Sequence, residues 1–196
     1  NDRIAWGSSM IACKDADAMV TGNIRHYAAS IEKLKKVVEP RPGEEIFGMT
    51  MMVSKGKTIL VADTNVQDFP SAERLANVSI SCVRVARLFG FDPKVAFLSH
   101  STFGKPVSKN TKHVRDAIDL LKTKNVDFDF DGEMQPDVAL NPIYQEIYPF
   151  SKIVGKANIL MMPALHSAAI STKLMKSFGG AKLIGPLLIG LGLPIE

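Results

Sequence analysis

With 196 residues, 46% hydrophobic content and a formal charge of +4, the chain can bury roughly 70% of the surface its unfolded state exposes, as one large domain or one domain carrying part of a second. It has no apolar run of the roughly 18 residues a membrane span needs, no signal-peptide core at its start, and only two cysteines, Cys13 and Cys82, which excludes a disulfide framework and a thiolate metal site. Its scattered lysines lack the basic tract or aromatic interleave of a nucleic-acid footprint. The composition therefore predicts a cytoplasmic protein that binds neither membrane nor nucleic acid and whose charge suits a small anionic ligand.

The chain opens without an initiator methionine, in a segment that looks mid-fold, and stops just after an apolar run. It is expected to be a piece of something longer. ADAMVTG, residues 16 to 22, has a short buried-strand pattern, and Ile24, Ala28, Ile31, Leu34 and Val38 lie on one face of a helix ended by Pro40. Two strands, 46 to 53 and 58 to 62, meet at Ser54-Lys55-Gly56-Lys57, a hairpin signal. A helix follows from Ser71 or Pro70 to Gly90, apolar on more than one side, as suits packing against a sheet.

Residues 94 to 99 read as a strand, followed by an amphipathic helix reaching about residue 123. VDFDFDGEM alternates Val126, Phe128 and Phe130 with Asp127, Asp129 and Asp131, a half-exposed strand running into a loop. A central strand at 158 to 162, a helix from about Ser167 to Phe178 and a last short strand in AKLIGPLLIGL complete the order. Alternating strands and helices predict an α/β fold, a mostly parallel sheet in three layers, with an antiparallel component from the hairpin.

In such sheets ligands gather outside the C-terminal ends of the strands. Four polar stretches occupy such ends: Thr21 to Asn23, Ser99 to Gly104, Asp131 to Asp137, and Pro163 to Ser167. Ser99, Ser101, Thr102 and Gly104 offer hydroxyls and pliable backbone for phosphate or carbonyl oxygens. A Ser99–His100 catalytic pair is disfavoured, because adjacent side chains leaving a strand point apart. Glu133 and Asp137 read as a solvated acidic face with an N-capping aspartate, as paired acid and base, or as residues with a structural or ligand-positioning role. His166 stands just before a helix, where anions are favoured. The four histidines share no metal-ligand spacing.

Asp17 to Gly22, Val61 to Thr64, Pro93 to Ser99 with Ser101, Thr102 and Gly104, Asp131 to Gln135 with Asp137, Gly155 to Leu160, and Ile184 to Pro186 run in order along nearly the whole chain. In them the chain resembles the phosphate acetyl/butyryltransferases. LSHSTFG, VDFDFDGEMQPDVALNP, MPALHSAAISTKL and IGPLLIGL further resemble the C-terminal transacetylase-like domain of the large bacterial NADP-dependent malic enzymes. That resemblance implies a fold like isocitrate and isopropylmalate dehydrogenases. It places residues 1–22 at the end of a flanking subdomain, 23–184 in the main α/β subdomain, and 185–196 at the start of a return to the flank.

It also implies an upstream malic domain in the same chain, with NADP and a divalent metal confined to it, and a homo-oligomer that is at least a dimer. Arg25 stands where true phosphotransacetylases usually carry a histidine, and their catalytic arginine and aspartate belong to segments outside this chain. The resemblance accordingly implies a non-catalytic segment that responds to acetyl-CoA or a related acyl-CoA as effector. The alternative is an active phosphate acetyltransferase. In either case Thr21, Arg25, Ser99, Ser101, Thr102, Lys105, Asn158 and His166 are the expected ligand-binding residues.

Overall fold

Lys55 and Gly56 turn the chain with φ of 49° and 71°, the left-handed pair that closes a two-residue hairpin with the strands' own twist. Ser54 thus faces Lys57, and β1 (Phe47–Ser54) pairs antiparallel with β2 (Lys57–Ala62). The computed structural model describes residues 2–21 and 27–195. Four further strands complete one sheet: β3 (Lys94–Leu98), β4 (Asp129–Met134), β5 (Ile159–Met161) and β6 (Lys182–Ile189), in the order β4-β3-β5-β2-β1-β6. β4, β3, β5 and β2 run parallel, and β1 is antiparallel to both its neighbours. The α/β class, the parallel core and the hairpin stand as expected.

Alternate residues of the central strands serve opposite faces, so both faces need cover. Leu60, Phe97 and Ile159 point to one face, where α3 (Ala72–Leu88) and α4 (Lys112–Thr123) pack on them. Val61, Leu98 and Leu160 point to the other, towards α5 (Pro136–Leu140) and α6 (Leu165–Ser177). Three layers result. Ser71 caps α3 by accepting the Arg74 amide at 3.2 Å. At its far end Gly90 adopts φ 79°, which glycine tolerates freely. α6 differs from α3: Ile170, Leu174 and Phe178 stay exposed, and an open groove of about 720 Å³ lies between it and the sheet.

The start of the chain departs from expectation. α1 (Arg3–Ala12) precedes residues 16 to 21, which form no strand beyond an isolated bridge from Met19 to Ile195. Val20 lies exposed. The helix expected to end at Pro40 is described as α2 (Tyr27–Leu34); its first residues, 23–26, lie outside the described ones. Ile4, Ile11, Ile31 and Leu34 form a third cluster with Leu188, Leu191 and Ile195. Their burial thus depends on the other end of the chain. The expected boundary between residues 184 and 185 falls inside β6, whose pairing with β1 shifts register between Met49 and Met51.

Two smaller features follow from packing. Cys82 is buried in α3, where desolvation raises its thiol pKa, whereas Cys13 sits exposed at the end of α1. β4 begins at Asp129 and runs on to Met134, so Asp131 to Glu133 are strand and not loop. Among the described residues no helix is long and apolar enough to cross a membrane.

Candidate active site at the C-terminal edge of the sheet

β2, β3, β4 and β5 end side by side, and the segments leaving them make a polar edge. At β4 the ladder slips: Phe97 faces Gly132 while Leu98 faces Met134, leaving Glu133 without a partner across the strands. This is a β-bulge, a device that re-aims a side chain at a strand end. Gly132 permits it, since its φ is 147° and a Cβ there would lie 2.6 Å from the Phe97 carbonyl oxygen.

Glu133 is 1% exposed, the only acidic side chain among the largest fully buried ones of the described residues. The Arg115 Nη1 of α4 donates to its Oε1 and Oε2 at 2.9 and 3.0 Å, and the Ser101 hydroxyl donates to Oε1 at 2.5 Å. Arg115 is fixed in turn by the Thr111 hydroxyl at 2.7 Å and the Ser108 carbonyl at 2.9 Å. A buried carboxylate is tolerated only with such partners. The expectation of a solvated acidic face at Glu133 is therefore corrected, and Asp137 lies on α5, off the strand that carries Glu133.

This anchor shapes the loop after β3. Ser99 and Ser101 turn inward, 7% and 0% exposed, with their hydroxyls 3.1 Å apart, while His100 turns out to solvent. Backbone bonds from Ser99 N to Met134 O and Phe103 N to Glu133 O, at 2.9 and 2.7 Å, stitch the loop to β4. The Gln135 amide donates to the Thr102 hydroxyl at 3.2 Å, and its side-chain nitrogen donates to the His100 carbonyl at 2.9 Å. Lys105 closes a tight turn with Thr102 through backbone bonds and extends its side chain into solvent.

The loop after β2 has its own anchor. Asp63, 5% exposed, accepts from the Gly48, Asn65, Val66 and Gln67 amides at 2.9 to 3.0 Å. A side chain that gathers four amides fixes the loop without needing a ligand. Beyond β5, His113 of α4 meets the Pro163 carbonyl at 2.9 Å through Nε2. This ties α4 to the turn that opens α6. His166 lies exposed in the first turn of α6, whose N-terminus has no side-chain cap.

The eight expected ligand residues are thus only partly brought together. Ser99, Ser101, Thr102, Lys105 and His166 share the C-terminal edge. Asn158 does not: it accepts the Lys94 amide at 2.8 Å and donates to the Asp92 carbonyl at 2.6 Å, joining β3 and β5 at their opposite, N-terminal ends. Thr21 is half-buried beyond the Met19 bridge, and Arg25 lies outside the described residues. Asp63 and Arg115 are not among the expected site residues, and of the readings open for Glu133 the structural one fits its buried network. The sequence signal for Asp63 is its place directly after an apolar strand; Arg115 carries none beyond a position on α4.

Comparison with known proteins then places the molecule. The family model described as phosphate acetyl/butaryl transferase matches residues 1–196, and the chain belongs to that family. An NADP-dependent malic enzyme of Rhizobium meliloti (strain 1021) is 44% identical over 100% of this chain and 26% of its own length. A solved phosphotransacetylase from Streptococcus pyogenes is 31% identical, with a TM-score of 0.90, covering 97% of this chain and 59% of that one. The EutD phosphotransacetylase from Staphylococcus aureus is 27% identical, with a TM-score of 0.87, covering 98% and 60%. The chain therefore spans about a quarter of the malic enzyme and about three fifths of the solved phosphotransacetylases. Likeness to phosphotransacetylases across nearly all of this chain overturns the expectation of a non-catalytic, effector-responsive segment and favours the transferase alternative.

Proposed function

We propose that this chain forms part of an enzyme moving an acyl group, acetyl in the simplest case, between coenzyme A and phosphate. The observation that carries this reading is the likeness to solved phosphotransacetylases over nearly the whole chain, with a preorganised polar edge where the parallel strands end. In one direction the CoA sulfur, its proton given up to a base or to water, attacks the acyl carbon of acetyl phosphate. The carbonyl oxygen becomes an oxyanion, the C–S bond forms, and the C–O bond breaks as phosphate leaves with its electron pair. Such a step gains from fixed reactants and from donors aimed at the oxyanion and the leaving phosphate.

The start of α6, which no side chain caps, and the adjacent His166 suit the phosphate. Ser99, Ser101 and Thr102 hold the neighbouring loop in shape through Glu133 and Gln135, so we assign them chiefly a positioning role. Lys105, free to swing in solvent, suits the phosphates of coenzyme A as a mobile point charge. Thr21, and Arg25 outside the described residues, are proposed to contribute to ligand binding as well. The relatives named as malic enzymes support a longer polypeptide, with a malate-oxidising domain that would hold NADP and a divalent metal elsewhere. A homodimer belongs to the same reading and is checked by sedimentation.

The test is thioester formation by the whole protein from acetyl phosphate and CoA. Turnover is expected, with a raised KM for acetyl phosphate in His166→Ala. A folded protein that forms no thioester in either direction would sink the proposal.

A further inference from the structure

The groove beneath α6 runs along one face of the sheet. Ala168 and Thr172 are the only α6 side chains that bury against their surroundings. Beyond them the helix stands off from the sheet and leaves about 720 Å³ open. That lies within the roughly 300–1,000 Å³ typical of small-molecule sites, which are mainly apolar with a few placed polar groups. The walls are apolar: Met52 and Ile59 from the hairpin, Leu160 from β5, Leu140 from α5, and Leu174 and Met175 from α6. Thioether side chains adapt to a flexible guest.

The mouth has the opposite character. Lys55, Lys57 and Lys156 line it, all three are exposed, and no acidic residue is among the described lining residues. Among the described residues none of these ammonium groups takes part in an ion pair. Lys57 stands close enough to Lys156 to hold its pKa below the ordinary lysine value. Two ammonium groups set side by side at the rim of an apolar slot repel each other, and an anion between them turns that repulsion into attraction. Thr58 and Asn158 on the lining mark the N-terminal ends of β2 and β5. From there the groove runs along the sheet face to Leu98, Pro136 and Met162, so its lysines stand at the end away from the Glu133 network.

We infer that this groove binds an anionic amphiphile, an unbranched acyl chain lying between α6 and the sheet with its carboxylate or phosphate head held by Lys57 and Lys156. The inference uses none of the residues assigned to acyl transfer and stands or falls apart from that reading.

Calorimetric titration of the whole protein with dodecanoate, dodecyl phosphate and dodecanol, each below its micelle concentration, tests it. Both anions are expected to bind saturably at one site, and dodecanol about tenfold or more weaker. The double variant Lys57→Gln/Lys156→Gln is expected to weaken both anions by about tenfold or more and leave dodecanol unchanged. Ser171→Trp, which fills the groove, is expected to remove binding of all three. A carboxylate bound far better than the phosphate ester identifies a fatty acid as the guest; the reverse identifies a monoacyl phosphate. No saturable binding of either anion, or equal binding of dodecanol, overturns the inference. So does anion binding that appears only when a dimer dissociates, which would give the groove to a second copy of the chain.

Discussion

The two faces of the sheet have equally apolar strands and very different cover. On one, α3 buries nine of its 17 residues and, with α4, closes over Phe47, Phe97 and Ile159. On the other, α6 buries two of 13 and leaves Ile170 and Leu174, with Phe178 just past its end, to solvent. A strand's sequence decides that a face needs cover, and the covering helix decides how much it gets. α3 sets Leu75, Val78, Cys82 and Val85 towards the sheet. α6 offers mainly alanines near its start, so it touches the sheet beside the candidate site and departs from it further on.

The largest effect that could break this contrast lies at the polar edge. Glu133→Ala removes a buried carboxylate and strands Arg115 and Ser101, and is expected to cost about 3–5 kcal/mol, read from urea denaturation. Phe97→Ala, on the closed face, is expected to cost about 3–5 kcal/mol as well, while Leu174→Ala on the open face should stay within about 0.5 kcal/mol. Equal costs for the last two would mean that α6 is closed against something in solution. Ser71→Ala removes the cap of α3 and should cost about 1 kcal/mol in the same assay. Substituting Ser108, which caps only a short turn before α4, should cost less.

The smallest effect is electrostatic. Hydrogen bonding to Arg84 holds the Glu44 carboxyl below its ordinary value of 4.5, partly opposed by burial. A depressed folded-state pKa contributes stability above that ordinary value, and the contribution fades as pH falls through the lower, folded one. Arg84 is 48% exposed, so screening limits the pair to about 0.5 kcal/mol. Glu44→Gln should therefore differ from the parent by that much at neutral pH and match it in strong acid, as followed by thermal melts at several pH values.

Features fixed within a few residues were legible in the sequence. The Lys55-Gly56 turn, the Ser71 cap and the amphipathic pattern of α4 each depend on near neighbours. Residues 16 to 22 misled because an apolar stretch was assumed to need a sheet, when Met19 needed only Ile195 from the far end of the chain. Glu133 misled for a similar reason. Its surroundings alternate like a half-exposed strand, but the bulge opposite Phe97 and Leu98 exists only once β3 lies alongside, and Arg115 reaches it from 18 residues away. The loop at Ser99 to Gly104 was legible as a place of interest; that its hydroxyls face inward was not.

The two outermost strands carry one more consequence. β4 ends in a bulge and bears Asp129 and Asp131, while β6 slips register and carries Pro186, which has no amide hydrogen to donate. A stray strand arriving at either margin would meet charge, a broken ladder or a missing donor. Among the described residues both margins of the sheet are thus poor templates for a further strand.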